Sequence, residues 1–231
     1  MTTVIEQIKT GVEAHLNGNL KAAESAYRTA ISLDEQNATA YNNLGFVCAQ
    51  LKRWGEAFEC LNTALQLKPD YSMAHTNLGQ VLLNMGQEQS GLEHLETAVQ
   101  CDANNAQAWE NLGQIKLRTG DPARAEYCWW RASQLQPENL QLYVQLATAI
   151  AAQQRYNESN RILSSVLNND ENCVNAWVQL GINHFLQTNL GASQQALQEA
   201  LQHDVRNYRA LKHLSLVAIA SGKTVQAETL L

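Results

Sequence analysis

Apolar residues recur along this chain with helical spacing, and the helical pattern itself returns every 34 residues. Repeats counted from Val4, Ala38, Ser72, Ala106, Leu140 and Val174, with a partial seventh from Tyr208, put Gly11, Gly45, Gly79, Gly113 and Gly181 at position 8. Position 4 is aromatic at Tyr41, Trp109, Tyr143 and Trp177, with His75 as the exception. Position 7 is Leu44, Leu78, Leu112, Leu146, Leu180 and Leu214. Positions 4, 7, 8 and 11 share one helical face and predict the buried stripe of a first helix. Gly18, Gly86, Gly120 and Gly222 mark the turn that follows.

A second helix then carries a small residue at position 20 (Ala23, Ala57, Gly91, Ala125, Ser193) and a bulky one at position 24 (Tyr27, Leu61, Leu95, Trp129, Leu163, Leu197). Position 27 is small again, at Ala30, Ala64, Ala98, Ala132 and Ala200. Small residues at positions 8 and 20 let the two helices approach closely. Pro69 and Pro137 end the second helix, because proline lacks the N–H that would continue it. Asp121-Pro122 supplies an N-cap and a first-turn proline, and Asn37, Asn105, Asn139 and Asn207 stand where each could cap the next first helix.

These residues resemble the tetratricopeptide repeat family over nearly the whole chain. Tyr41-x-x-Leu44-Gly45…Ala57…Leu61…Ala64…Pro69 and Trp109-x-x-Leu112-Gly113…Ala125…Trp129…Ala132…Pro137 fit best. The first repeat departs at Gln7 and Thr10, and the fifth at Ala147, Ser159 and Val166. The resemblance implies an all-α fold: a right-handed superhelical solenoid of antiparallel helix pairs, with residues 1–231 forming a single array. The sequence stops at Leu231, at position 24 of the seventh repeat. Leu230 and Leu231 would lie near an uncovered apolar end, which predicts either a longer polypeptide or self-association through that end.

Charge narrows the partners. Only 16% of residues are charged, and the net charge of −6 disfavours nucleic acid. No apolar run approaches the roughly 20 residues of a membrane span, and no secretory signal is visible at the start. Five cysteines without CxxC spacing suit reduced thiols, so we expect no membrane insertion and a cytoplasmic location. No HExxH, GxSxG or paired-carboxylate arrangement occurs, so neither catalysis nor a cofactor is expected. Ser221-Gly-Lys-Thr224 imitates the end of a phosphate loop but lacks its earlier glycine, since Val217 stands there. Cys60, His94 and Cys128 share one position in consecutive repeats, a spacing too wide for a common metal, and His184 reads as a core histidine.

In this family the first helices line an inner groove, and the resemblance puts exposed inner residues at positions 2, 5, 6, 9, 12 and 13. Position 6 carries Asn43, Asn77, Asn111, Gln145 and Gln179, an unbroken column of carboxamides. A carboxamide both donates and accepts, so such a column can pair with the backbone of an extended peptide. The column is similar to that of the repeat domain of O-GlcNAc transferase, where asparagines hold peptide substrates. Asn42, Gln80, Gln114 and Arg118 are expected beside it. The chain therefore reads as a protein-interaction scaffold that binds an extended protein or peptide segment. The alternative is the substrate-recruiting N-terminal region of a larger enzyme such as a glycosyltransferase. A basic clamp for a terminal carboxylate is absent, because Ile8, Met73 and Asn77 occupy its cationic positions. Arg206, Arg209, Lys212 and His213 form a small basic cluster. Trp130 occupies an outward position that is polar elsewhere, which suggests an outer contact surface.

Overall fold

The computed structural model describes residues 3–222. These form thirteen α-helices, and no strand occurs among them. Six antiparallel pairs follow one another: α1 (Val4–Leu16) with α2 (Leu20–Leu33), α3 (Ala38–Gln50) with α4 (Trp54–Leu67), and α5 (Ser72–Asn84) with α6 (Glu88–Cys101). Next come α7 (Ala106–Arg118) with α8 (Pro122–Leu135), α9 (Leu140–Ala152) with α10 (Tyr156–Asn169), and α11 (Val174–Leu186) with α12 (Leu190–His203). The first helix of the seventh repeat is α13 (Tyr208–Ala220). Two compact bodies result, Met1–Leu112 and Gly113–Leu231, each a stack of helix pairs. The architecture is an all-α helical-repeat solenoid. Lys223 and Thr224 of the phosphate-loop imitation, and Leu230 and Leu231 of the expected apolar end, lie outside the described residues.

Each hairpin turns on one residue in the left-handed region. Gly18, Gly86 and Gly120 supply it with φ between 74° and 83°, and Gly222, after α13, has φ 75°. Lys52, Gln154 and Thr188 occupy the same position at φ near 60°, where a β-carbon is strained. Glycine therefore marks only some of the turns.

Close approach of the paired helices explains the small residues. A β-carbon on Gly45 would stand 2.7 Å from Leu61 Cγ, and one on Gly181 2.6 Å from Leu197 Cγ. The position-24 leucines Leu61, Leu95, Leu163 and Leu197 are fully buried. Each contributes on the order of 2 kcal/mol of apolar burial. Where position 20 is serine, its hydroxyl donates to the facing first-helix carbonyl: Ser159 Oγ to Ala147 O and Ser193 Oγ to Gly181 O, both at 2.7 Å. The fifth repeat's Ala147 and Ser159 are thus a matched variant of the contact. Position 3, which the hydrophobic pattern does not single out, is equally buried at Ala40, Ala74, Ala108, Leu142, Ala176 and Ala210.

Polar groups close the loops. Asn37, Asn105 and Asn207 accept from the backbone N–H of Ala40, Ala108 and Ala210. Asn139 does not cap as expected; its amide donates to Gln136 Oε1 instead. Asp34, Asp102, Asp170 and Asp204 each accept from the N–H two residues on and tighten the loop between repeats. The indole N–H of Trp109 and of Trp177 donates to the carbonyl six residues earlier, Ala103 and Glu171.

Ion clusters join successive second helices. In the first body Glu24 of α2 meets Arg53, the residue preceding α4, at 2.6 Å, and Glu56 bonds both Arg53 and Arg28. The Arg53 guanidinium holds the Glu24 carboxyl below its ordinary range. In the second body Glu126, Arg155 and Glu158 occupy the same repeat positions. Both clusters are partly exposed, which limits each pair to about 1 kcal/mol or less.

His75 takes the place of the position-4 tryptophan and imitates it. Its Nε2–H donates to Pro69 O at 2.9 Å, the carbonyl six residues earlier. Its Nδ1 must then accept, and the Nδ1–H of His94 donates to it at 2.9 Å. Burial, reinforced by His75, lowers the His94 pKa; burial also lowers those of His184 and His213, the latter with help from Arg209 and Lys212. Below the ordinary histidine value of about 6.5 the unfolded chain therefore binds more protons than the folded one. Stability is full above that pH and falls as pH drops beneath it. The melting temperature is expected to be lower at pH 5.5 than at pH 7.5, and His94→Asn should shrink the difference. Equal melting temperatures at the two pH values would contradict this.

Candidate functional site

The face of each first helix opposite its partner carries the side chains expected to meet a ligand. Position 2 is exposed at Thr39, Met73, Gln107, Gln141 and Asn175, and position 9 at Phe46, Gln80 and Gln114. Arg118, at position 13, is exposed as well. Asn43, Asn77, Asn111 and Gln145 of the carboxamide column are half-buried.

Two expected contact residues are not accessible. Asn42 is 2% exposed and Gln179 5% exposed. Position 5 is buried at Thr76, Val144 and Val178 as it is at Asn42, half-buried at Glu110 and exposed at Lys212. Gln179 stands at position 6, which is half-buried at Asn43, Asn77, Asn111 and Gln145.

In the first body the buried amide of Asn42 organises its half-buried neighbours. Asn42 Nδ2 donates to Asn43 Oδ1 at 3.1 Å, and Asn77 Nδ2 donates to Asn42 Oδ1 at 2.9 Å. A relay thus fixes the rotamers of Asn43 and Asn77. Asn111 Oδ1 accepts from Gln107 Nε2 at 3.2 Å. Beside Asn77 and Gln80 lies a cavity of about 180 Å³ whose apolar wall is Phe46, Trp54 and Val81.

In the second body Gln179 belongs to a buried network. Its Nε2 donates to Asn183 Oδ1 at 3.0 Å, and Asn183 Nδ2 donates to Ser159 Oγ and Asn160 Oδ1, both at 2.8 Å. Asn183 is 0% exposed, at a position that is apolar in Val47, Val81, Ile115 and Ala149. A cavity of about 270 Å³ lies over Gln145, Thr148 and Gln179, with Arg209 at its edge. No sequence signal tied Arg209 to this cavity, since the two lie two repeats apart along the chain.

Other candidates take definite places. Trp130 is 44% exposed and stacks at a tilt on Tyr127, with ring centroids 6.1 Å apart. Cys60 and His94 each have a local partner: the Cys60 thiol hydrogen-bonds Cys48, and His94 pairs with His75. The Cys60 contact and the Arg53 guanidinium, 3.6 Å from Cys48 Sγ, hold the Cys48 thiol below its ordinary range, whereas Cys60 is pushed up. No group of three or more metal-ligating side chains assembles among the described residues. His184 is half-buried. Arg206, Arg209 and Lys212 are exposed and His213 is half-buried. No described helix is long and apolar enough to cross a membrane.

Paired helices of this length, stacked on position-8 and position-20 contacts with a polar first-helix face, define a helical-repeat scaffold. Family models described as tetratricopeptide repeat match residues 36–101 and 94–127, and one described as TPR repeat matches residues 13–52. The chain belongs to the tetratricopeptide repeat family, whose members are protein-interaction scaffolds. Solved structures extend the fold beyond the matched residues. YrrB, a TPR protein with an unusual peptide-binding site, superposes with a TM-score of 0.70 at 19% identity over 82% of this chain and 97% of its own. A tetratricopeptide repeat protein from Parabacteroides merdae gives 0.75 at 14% identity over 98% and 90%. Pseudomonas aeruginosa PilF gives 0.69 at 20% identity over 85% and 89%. At these identities the likeness is one of fold. Among the curated proteins none matches the sequence.

Proposed function

We propose that the chain binds an extended peptide segment along the exposed faces of its first helices and performs no chemistry on it. The observation that carries this reading is the amide relay in the first body. Asn42 is buried, and its only described partners are Asn43 and Asn77, so it holds two accessible carboxamides in fixed orientations. Preorganised amides lose little side-chain entropy when they pair with a peptide backbone. The apolar cavity beside Asn77 suits one side chain of such a segment. YrrB, of like fold, is itself described as having a peptide-binding site, which is consistent with this use of the architecture. Asn43, Asn77, Asn111 and Gln145 are the contacts proposed, with Gln80, Gln114 and Arg118 beside them. Asn42 and Gln179 act as supports beneath the surface.

The test is selection of random peptides displayed on phage against the wild-type chain, followed by titration of the selected peptides. Joint Asn77→Ala and Asn111→Ala substitution removes two hydrogen-bonding groups, each contributing about 1 kcal/mol, and should weaken binding at least tenfold. The melting temperature should change by only a few degrees. Unchanged affinity in the doubly substituted chain would remove the carboxamide column from the contact surface.

A further inference from the structure

Negative charge is distributed unevenly over this acidic protein. The 22 Asp and Glu residues give it a net charge of −6, yet α3, α5, α9, α11 and α13 carry none of them. The acidic residues lie instead in second helices, such as Glu158 and Glu199, in the connecting loops, and in the first helices α1 and α7, which carry Glu6, Glu13 and Glu110. In the second body the first helices α9, α11 and α13 carry two cations and no anion, namely Arg209 and Lys212.

Arg209 borders the 270 Å³ cavity, whose apolar side is formed by Leu117, Trp129 and Val144. The carboxamides around it offer amino groups to a ligand. Gln141 Oε1 accepts from Asn175 Nδ2 at 3.2 Å, and Gln145 Oε1 is buried without a hydrogen-bond partner. Gln179 Nε2 is committed to Asn183, while the Thr148 hydroxyl, 3.4 Å from Gln179 Oε1, donates to Val144 O at 2.8 Å. The groups that can meet a carboxylate are the amino groups of Gln141 and Gln145 and the guanidinium of Arg209, which has no ion-pair partner among the described residues.

We propose that this cavity takes an acidic side chain of the bound peptide, with its carboxylate against Arg209 and the amino groups of Gln141 and Gln145. The methylene stem of the side chain packs on Leu117 and Val144. This inference rests on the peptide-groove reading and adds to it a preference for charge. A guanidinium facing an acid-free cavity discriminates strongly between a carboxylate and its neutral amide, because only the former compensates the charge.

The experiment uses random peptides of about twelve residues displayed on phage and selected on the wild-type chain. Selected peptides should carry Asp or Glu at a fixed position. Arg209→Gln should weaken them about ten- to hundredfold. Arg209→Lys should retain part of the affinity. Changing the acidic residue of the peptide to its amide should weaken binding to wild type but cause no further loss on Arg209→Gln. Amidation of the peptide's C-terminus should have no effect. Arg209 is exposed, so its variants should melt with wild type. Selected peptides that lack an acidic preference and bind Arg209→Gln normally would overturn this inference while leaving the groove reading intact, provided Asn77→Ala with Asn111→Ala still weakens them. A loss that follows C-terminal amidation instead of side-chain neutralisation would overturn it in favour of a chain end. Recovery of no peptide at all would overturn the groove reading and this one with it.

Discussion

Gly79→Ala is expected to destabilise the first body by about 1–3 kcal/mol, the usual range for an overpacked core. A β-carbon there would stand 2.9 Å from Leu95 Cγ and 3.0 Å from Gly91 O. The side chain could yield, but the carbonyl belongs to the backbone of α6 and can retreat only if the two helices separate. The reciprocal contact is as tight: a β-carbon on Gly91 would meet Gly79 O at 2.9 Å and Leu83 Cγ at 2.8 Å. Repeat two carries Ala49 and Ala57 where repeat three carries Leu83 and Gly91. Size has been exchanged between the two positions. Gly91→Ala should therefore cost less in a Leu83→Ala background than alone, after the separate cost of Leu83→Ala is subtracted. Urea unfolding of the four chains measures the coupling; additive effects would show that the exchange has no physical content.

Asn183→Ala should cost about 2–4 kcal/mol. Truncation leaves Gln179 Nε2 and Asn160 Oδ1 without the partners that satisfy them, and Gln179 is itself buried. Ser159 keeps its own bond to Ala147 O, so the loss is confined to the amides. Because Asn183 and Gln179 act in one network, the double substitution to alanine should cost less than the sum of the single ones. Chemical denaturation reads both quantities, and a nearly neutral Asn183→Ala would mean that the network adds nothing to stability.

The fold was legible because its signal is redundant. Gly45, Ala57 and Leu61 specify one helix contact, and the same contact returns with Gly79, Gly91 and Leu95, and again with Gly181, Ser193 and Leu197. Every repetition confirms the period. Asn105 and Asp121 were readable as caps because an N-cap depends on a residue type and its immediate sequence neighbours. The inner face was only partly readable. Asn42 and Asn43 are adjacent and chemically identical, yet one is buried and the other half-exposed. That difference is set by the stacking of the next repeat, which composition cannot encode. Gln179 was misjudged for a related reason: its partner Asn183 is a polar residue at an apolar position, and only the neighbouring Ser159 and Asn160 explain it. His75 looked like an exception to the aromatic series until its bond to Pro69 O showed it making the indole's contact. Arg209 was visible as part of a basic cluster, whereas its place beside Gln141 and Gln145 in one cavity depends on how residues of three successive first helices come together.

The clasps between successive repeats are chemically unlike. Glu24 and Arg53, and later Glu126 and Arg155, hold by opposite charge at partly exposed sites. Asn160 of the fifth repeat instead meets the sixth through the carboxamides of Asn183 and Gln187. Dissolved electrolyte slackens the guanidinium clasps and leaves the carboxamide one almost indifferent. The stiffness of this protein is therefore a local property, graded from one junction to the next, and its compliance follows the ionic composition of its surroundings.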